Sequence, residues 1–83
     1  MPFIVYIIYS KLRNKYYIGF TGDDICNRLK KHNASHKGFT GRHADWGLMY
    51  TEQFTSKEEA IARERQIKNW KSRKKIQQLI SAE

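Results

Sequence analysis

Two strand-like segments at the start of the chain constrain its fold most strongly. Residues 3–9 and 15–20 are dense in β-branched and aromatic side chains, which favour an extended and partly buried backbone. Only residues 10–14 separate them, and this connection ends in Asn14, a residue type that tolerates turns. A connection of this length implies that the two strands pair as an antiparallel hairpin. Gly19 inside the second strand weakens it, unless the backbone there bends or admits a ligand closely.

A helix and a third strand follow the hairpin. Residues 21–33 begin with residues that cap helices and then carry an apolar stripe, with His32 on the same side. Residues 34–46 lack periodicity and indicate a long basic loop. The pattern of residues 47–54 predicts the third strand.

The last third of the chain has helical patterning. A capping box at residues 56–59 opens a helix over about residues 57–70. The stretch 71–80 could continue this helix or form a separate one, with Asn69 or Ser72 at the break. The order β-β-α-β-α-(α) predicts a small α/β fold, in which helices cover a three-stranded antiparallel sheet. A length of 83 residues allows one domain, spanning the whole chain.

The net charge points to a polyanionic partner. Sixteen Lys and Arg residues against eight Asp and Glu residues give a formal charge of +8. Such an excess attracts polyanions, with nucleic acid as the leading candidate and an anionic membrane surface as the second. A hydrophobic fraction of 40% argues for a folded core instead of disorder.

Cysteine usage and hydropathy indicate the compartment. Cys26 is the one cysteine, so no intramolecular disulfide can form, and no Cys/His cluster has the spacing of a zinc site. The apolar N-terminal segment is too short to span a bilayer and lacks the features of a signal peptide. We therefore expect a cytoplasmic protein without a membrane partner.

Tyr6 and Tyr17 are each central in a predicted strand. If the two strands are neighbours, both phenols can project from the same face of the sheet. Tyrosine is a common strand residue, so a structural role is one interpretation. In the other, a phenol orients the attacking water at a phosphodiester, acts as a base or stabilises developing charge. As a base, it needs its pKa lowered from about 10 by a nearby cation or metal.

Arg28 and His32 are four residues apart and therefore neighbours on one helix flank. They could be a solvated arginine and a histidine at the edge of the core. Alternatively, Arg28 clamps a phosphate in a bidentate fork, with His32 oriented beside it.

Glu64 is an acidic residue on the apolar side of its helix. At about 100° per residue, Glu64 falls within the arc formed by Ala60, Ile61 and Ile67. A carboxylate on a buried face is costly unless it is paired or binds metal. Either an arginine neutralises Glu64, or it is the sole carboxylate ligand of a divalent cation such as Mg²⁺, with water and substrate phosphate as the other ligands.

Several further basic residues are candidate phosphate contacts, and ordinary solvated charge is the alternative. They are Lys37, Arg42, His43, Lys68, Lys71, Arg73, Lys74 and Lys75. Trp46 and Trp70 could stack on bases, but in so small a domain a core position is favoured for both.

These motifs, in this order, resemble the GIY-YIG endonuclease family, and in particular its short stand-alone bacterial members. Val5-Tyr6-Ile7 is similar to the GIY element, with Val in place of Gly, and Tyr17-Ile18-Gly19 matches YIG. Residues 28–33 resemble the RxxxH segment of the first helix. Residues 60–70 resemble the helix that bears the metal-binding glutamate.

The resemblance implies an enzyme that cleaves double-stranded or branched DNA with one divalent cation, Mg²⁺ or Mn²⁺. It further implies a role in DNA repair or recombination. The catalytic set transferred by motif matching is Tyr6, Tyr17, Arg28, His32 and Glu64, with Glu64 as the metal ligand. One tyrosine is then the base or the water-orienting group, and Arg28 steadies the phosphate. Some relatives carry a lysine directly after YIG, where this chain has Phe20.

Two other classes of function compete with the enzyme. One is a non-catalytic nucleic-acid-binding module that retains the nuclease fold. The other is a scaffold whose basic face binds a protein, although the sequence gives no evidence of an obligate protein partner.

Overall fold

The computed structural model describes residues 2–33 and 45–82 and has the predicted order β-β-α-β-α-α. The elements in these two ranges are β1 (Phe3–Ser10), β2 (Lys15–Thr21), α1 (Ile25–Asn33), β3 (Trp46–Phe54), α2 (Lys57–Asn69) and α3 (Arg73–Ser81). Every predicted element is confirmed, with boundaries that differ by a few residues at most. Within these ranges, no helix is long and apolar enough to cross a membrane.

The three strands form one antiparallel sheet in the order β2-β1-β3. β1 and β2 pair from Ile4 opposite Thr21 to Ser10 opposite Lys15, which confirms the predicted hairpin. Asn14 closes the turn in a left-handed conformation, with φ of 54°. Because β1 is the central strand, its middle residues are fully buried, while β2 and β3 form the two edges of the sheet.

Each face of the sheet carries its own apolar core. On one face, α2 and α3 pack Ala60, Ile67 and Ile76 against β1 and β2. On the other face, Ile25 and Leu29 of α1 pack against a cluster that is built from Tyr6, Ile8 and Trp46. The alternation of side chains along a strand sends neighbouring residues of β1 to opposite cores. Trp46 is only 3% exposed, as expected for a core residue.

Capping serines start the two C-terminal helices and separate them. The side chain of Ser56 accepts a hydrogen bond from Glu59 N, which confirms the predicted capping box. Ser72 caps α3 in the same way, so the stretch after α2 is a separate helix. Between the helices, Lys71 has a left-handed backbone with φ of 47°, which turns the chain. Trp70 is half-buried at the margin of the core, beneath the guanidinium of Arg63.

Candidate active site

The phenol of Tyr6 crosses the edge strand β2 at Gly19. The two residues are directly opposite in the β1–β2 pairing. A Cβ atom at Gly19 would lie 2.6 Å from Tyr6 Oη and 2.8 Å from Tyr6 Cζ, closer than real side chains approach. The glycine therefore admits a side chain of the protein itself, which explains its presence inside a strand.

Two residues of α1 contact the Tyr6 hydroxyl. Tyr6 Oη lies 2.7 Å from His32 Nε2, and Arg28 Nε donates a hydrogen bond to the same oxygen over 3.3 Å. Tyr6 and His32 are 1% and 6% exposed, so the contact is shielded from solvent. The spacing of one helical turn between Arg28 and His32 directs both side chains to one phenol.

Tyr17 completes this cluster from β2. It pairs with Ile8 and therefore projects from the same face as Tyr6, as the sequence predicted. Its ring lies against that of His32, with 4.9 Å between centroids, and against that of Trp46, with 6.3 Å between centroids. The structure thus brings Tyr6, Tyr17, Arg28 and His32 together at the β2 edge of the sheet, under α1.

Asn33 is a supporting residue that the sequence analysis missed. Its side-chain amide donates to Trp46 O over 3.1 Å and accepts from Trp46 N over 2.9 Å. These two bonds hold the end of α1, directly after His32, against the start of β3. Asparagine at a helix C-terminus often interacts with the local backbone, but a partner thirteen residues away is not visible in the sequence.

The environment keeps Tyr6 protonated. Burial raises the pKa of the Tyr6 phenol, the hydrogen bond and charge of Arg28 oppose this, and the nearby Tyr17 and Glu64 raise it further. The net shift is upward from 10.0, so the phenol is neutral near neutral pH. A neutral phenol donates its proton to His32 Nε2 when the imidazole carries its hydrogen on Nδ1, and accepts from Nε2 in the other tautomer. The sequence analysis required a lowered pKa for a tyrosine that acts as a base. In the structure without substrate or metal, the pKa of Tyr6 is raised instead.

Glu64 approaches from the helix on the other face of the sheet. Its side chain is 15% exposed, between the buried positions Ala60 and Ile67 of α2. The negative charge of the Glu64 carboxylate raises the pKa of the Tyr6 phenol, so the two groups are within electrostatic range. The partner of Glu64 is Lys68, with Nζ 3.5 Å from Oε1, and this lysine is 48% exposed. The sequence analysis considered an arginine as the structural partner.

The donor atoms near the site suit only a particular kind of metal. Within residues 2–33 and 45–82, no group of three or more His, Cys, Asp or Glu side chains is arranged to hold a metal ion. Glu64 alone offers a carboxylate, which does not fit zinc with its three or four protein ligands. It fits Mg²⁺ or Mn²⁺, because a hard cation can take one protein carboxylate and complete its shell with water and phosphate oxygens.

Among the described residues, the predicted phosphate contacts other than Lys74 line two different surface pockets. Lys37, Arg42 and His43 lie outside the described residues. Lys68, Lys71 and Arg73 line a single cleft beside β2. Lys75 instead lines a surface pocket with Trp70, and Lys74 is exposed.

The two tyrosines, the arginine and the histidine, like the three-stranded sheet and its helices, lie within the part of the chain that matches the model of one family of α/β domains. Residues 2–77 match the model of the GIY-YIG catalytic domain. The chain belongs to the GIY-YIG family and carries a domain of its nuclease type.

Similar proteins agree with this assignment. The UPF0213 protein BH0048 of Halalkalibacterium halodurans is 41% identical over 83 residues, which cover 98% of this chain and 84% of that protein. The solution NMR structure of the UPF0213 protein BH0048 from Bacillus halodurans matches with a TM-score of 0.63 and 36% identity. That match covers 100% of this chain and 86% of the solved one, so the fold is shared along the whole length.

Proposed function

We propose that this protein is a metal-dependent DNA endonuclease that hydrolyses phosphodiester bonds. The observation that carries the proposal is the buried contact of Tyr6 with both His32 and Arg28. A core tyrosine needs one hydrogen-bond partner to be satisfied. Here one phenol oxygen faces a proton acceptor and a cation at the same time, which is an arrangement that can take and release a proton.

His32 and Tyr6 together provide the base in this proposal. The phenol proton passes to His32 Nε2, which lies 2.7 Å from the phenol oxygen, and the Tyr6 oxygen then accepts a proton from water. The water oxygen bonds to phosphorus while the bond from phosphorus to the leaving oxygen breaks, and the leaving oxygen takes up a proton from solvent water. Arg28 stabilises the phenolate that forms, because its guanidinium already donates to this oxygen.

Arg28, Tyr17 and Glu64 position the phosphate, the attacking water and the metal ion in this proposal. The bond to Tyr6 uses only Nε of the Arg28 guanidinium, which has five N–H donors, so the same side chain has the geometry to contact a phosphate oxygen. Tyr17, which lies against His32, orients the attacking water. Glu64 would hold the divalent cation, and a bound cation would supply positive charge to the phosphate in the transition state.

A non-catalytic nucleic-acid-binding module is the second candidate function. Two observations favour it: the pKa of Tyr6 is raised, and Glu64 is paired with Lys68. Such a module would bind DNA through its basic residues without cutting it. A role in repair or recombination belongs to the first candidate only.

A nicking assay on supercoiled plasmid separates the two candidates. The protein is incubated with plasmid and Mg²⁺ or Mn²⁺, with EDTA as the control. Nicking that requires the metal supports the endonuclease, and a gel shift without nicking supports the binding module. Tyr6→Phe and Tyr17→Phe should abolish nicking. Tyr9→Phe is the matched control, because it removes a hydroxyl from β1 on the opposite face of the sheet.

Replacement of His32 gives an independent check of the proton path. In this proposal His32 Nε2, which lies 2.7 Å from the phenol oxygen, accepts the phenol proton. His32→Gln removes this ring nitrogen, so we expect the variant to lose most of the nicking activity.

A further inference from the structure

A cleft with an apolar floor and a basic rim lies beside the candidate active site. It runs between β2 and the junction of α2 with α3, and we call it the junction cleft. Its volume is about 260 Å³, slightly below the roughly 300–1,000 Å³ of pockets that bury drug-sized ligands. The junction cleft therefore has room for one nucleotide and not for several.

The floor of the junction cleft is apolar and aromatic. It includes Ile18 of β2, Ile67 of α2 and Ile76 of α3, which are all buried, together with the half-buried ring of Tyr16. Ile67 is fully buried and the guanidinium of Arg73 lies over the Tyr16 ring, so a ligand meets only the exposed remainder of Tyr16 and of the other isoleucines. Apolar surface of this kind stabilises a flat group such as a nucleobase, and this attraction does not depend on which base it is.

Lysines from three parts of the chain surround this floor. Lys15 belongs to β2, Lys68 to α2 and Lys71 to the turn between the helices, and all three are exposed. The backbone at Lys71 is left-handed, which is a strained conformation for a non-glycine residue. Ser72, at the N-terminus of α3, also lines the cleft, and a helix N-terminus favours negative charge.

The walls of the junction cleft are held in place by Arg73. This residue donates to the backbone oxygen of Asn14 over 2.8 Å and to the side chain of Asn14. Its guanidinium also lies over the ring of Tyr16, 5.3 Å from the centroid. These contacts join the β1–β2 turn to α3, so the cleft is formed before any ligand binds, which lowers the entropic cost of binding.

Lys68 links the junction cleft to the candidate active site. This lysine lines the cleft and is also paired with Glu64, one helical turn earlier on α2. Ile18 of the floor directly follows Tyr17 along β2. A nucleic-acid strand whose phosphate lies near Glu64 can therefore reach the cleft with its next nucleotide.

We propose that the junction cleft takes up one unpaired nucleotide of the DNA bound at the candidate active site. Its base packs on the apolar floor, and its phosphate lies among Lys15, Lys68 and Lys71. A base paired within a duplex cannot enter a recessed pocket, so the cleft selects DNA with an overhang, gap or flap over continuous duplex. This inference rests on the proposed function, because it specifies the substrate of the same site.

Fluorescence anisotropy in EDTA tests the proposal without any cleavage. The probes are a blunt 20-base-pair duplex, the same duplex with a five-nucleotide overhang, and that duplex with an abasic overhang. Wild-type protein should bind the normal overhang roughly five- to tenfold more tightly than the blunt duplex, as expected for stacking of one base. The abasic overhang should lose most of this gain, because it keeps the phosphates and lacks the bases.

Two variants and a matched control test whether the preference for the overhang arises at the junction cleft. Lys71→Glu and Ile76→Lys should reduce the preference for the overhang to less than about twofold. Lys57→Glu reverses one exposed charge at the far end of α2 and should leave the preference unchanged. Thermal melts of all variants check that they are folded, and only the folded ones are compared. Since Lys71 is exposed, its substitution keeps the test available even if Ile76→Lys does not fold.

Three binding results would overturn the proposal that the junction cleft takes up an unpaired nucleotide. Equal affinity of wild-type protein for blunt and overhanging duplex overturns it, as does equal affinity for normal and abasic overhangs. A preference that persists in folded Lys71→Glu and Ile76→Lys shows that the unpaired nucleotide binds elsewhere. Failure of the plasmid assay with a preserved overhang preference would reject the endonuclease and keep the cleft.

Discussion

At the scale of single residues, Gly19 has a low propensity for strands but makes room for the side chain of Tyr6 in the candidate active site. Its hydrogen leaves the space through which Tyr6 reaches His32. The sequence analysis identified the strand, the tyrosine and the unusual glycine. It could not predict that the glycine accommodates this tyrosine, because the register of the hairpin places them opposite each other only in the folded sheet.

Replacement of Gly19 by alanine tests this packing. The new Cβ would be 2.6 Å from Tyr6 Oη, so the ring must move and the bond to His32 must lengthen or break. We expect a loss of about 1–3 kcal/mol in stability, as for other overpacked cores, and a loss of cleavage. Gly47→Ala is the matched control, because nothing lies within 4 Å of a Cβ there. Urea unfolding and plasmid nicking measure both effects, and equal behaviour of the two variants would contradict the packing argument.

Replacement of Glu64 by glutamine tests its role as the metal ligand. Its structural partner Lys68 is half-exposed and can return to water, so the variant should stay within about 1 kcal/mol of wild-type stability. Cleavage should fall by orders of magnitude, because the charge that a cation brings to the phosphate is worth several kcal/mol in the transition state. Glu58→Gln, an exposed change on the same helix, is the control.

A thermal melt and a nicking assay on the Glu64 variant decide between the two roles. Retained stability with lost cleavage supports the metal ligand. Retained cleavage by the folded Glu64→Gln protein would refute the metal-ligand role, whatever the stability of the variant.

At the scale of helices and strands, periodicity and capping predicted most of the fold. β-Branched runs predicted the strands, and Ser56 with Glu59 predicted the start of α2. The sequence left open whether α2 continues past Asn69, because Lys71 is not a residue type that signals a left-handed turn. The paired packing of α2 and α3 against one core decided the matter in favour of a separate helix.

The ion pair between Glu52 and Arg63 fixes α2 to β3. Arg63 donates two hydrogen bonds to the Glu52 carboxylate, from Nε to Oε1 and from Nη2 to Oε2, each over 3.0 Å. The hydroxyl of Tyr50 also donates to this carboxylate. Burial alone raises the pKa of Glu52, but the hydrogen bonds from Arg63 and Tyr50 outweigh it and lower the pKa from 4.5. The pair is a fork with two parallel bonds, which is the strong form of this interaction.

The lowered pKa of Glu52 makes part of the stability depend on pH. The contribution is fully present above the unfolded pKa near 4.5 and is lost as the pH falls through the lower folded pKa. Glu52→Gln should therefore cost about 1.5–3 kcal/mol at pH 7 and much less at strongly acidic pH. Urea unfolding at several pH values checks this. Glu58→Gln should show no such dependence, and a constant difference between wild type and Glu52→Gln would contradict the assignment.

At the scale of the whole molecule, the site joins two layers that belong to different faces of the sheet. Tyr6, Tyr17, Arg28 and His32 meet under α1, whereas Glu64 belongs to α2 on the opposite face. Helical periodicity predicted that Glu64 is directed inward, but not how it approaches the tyrosines. That depends on the strand order β2-β1-β3, in which β2 is an edge around which both helices can reach. A single domain over residues 1–83 and a cytoplasmic location stay predictions.

The distribution of charge over the molecule gives the final prediction. Lys74 and Lys75 are exposed on α3, and Lys75 lies beside Trp70, away from the junction cleft. If this side contacts the DNA backbone, reversal of both charges should weaken binding to all DNA sequences alike. Each lost phosphate contact should also make the slope of log K against log salt less negative by about 0.9.

Binding to duplex DNA at several salt concentrations measures that slope for Lys74→Glu/Lys75→Glu. The matched control, Lys11→Glu/Lys57→Glu, makes the same change in net charge at two exposed positions elsewhere. A long-range effect of net charge alone would shift both double variants equally, whereas direct phosphate contacts change the slope of the first variant only. Unchanged slopes in both would show that α3 turns this side away from the DNA. Contacts to the DNA would then come from other basic residues, among them Lys15, Lys68 and Lys71 at the junction cleft.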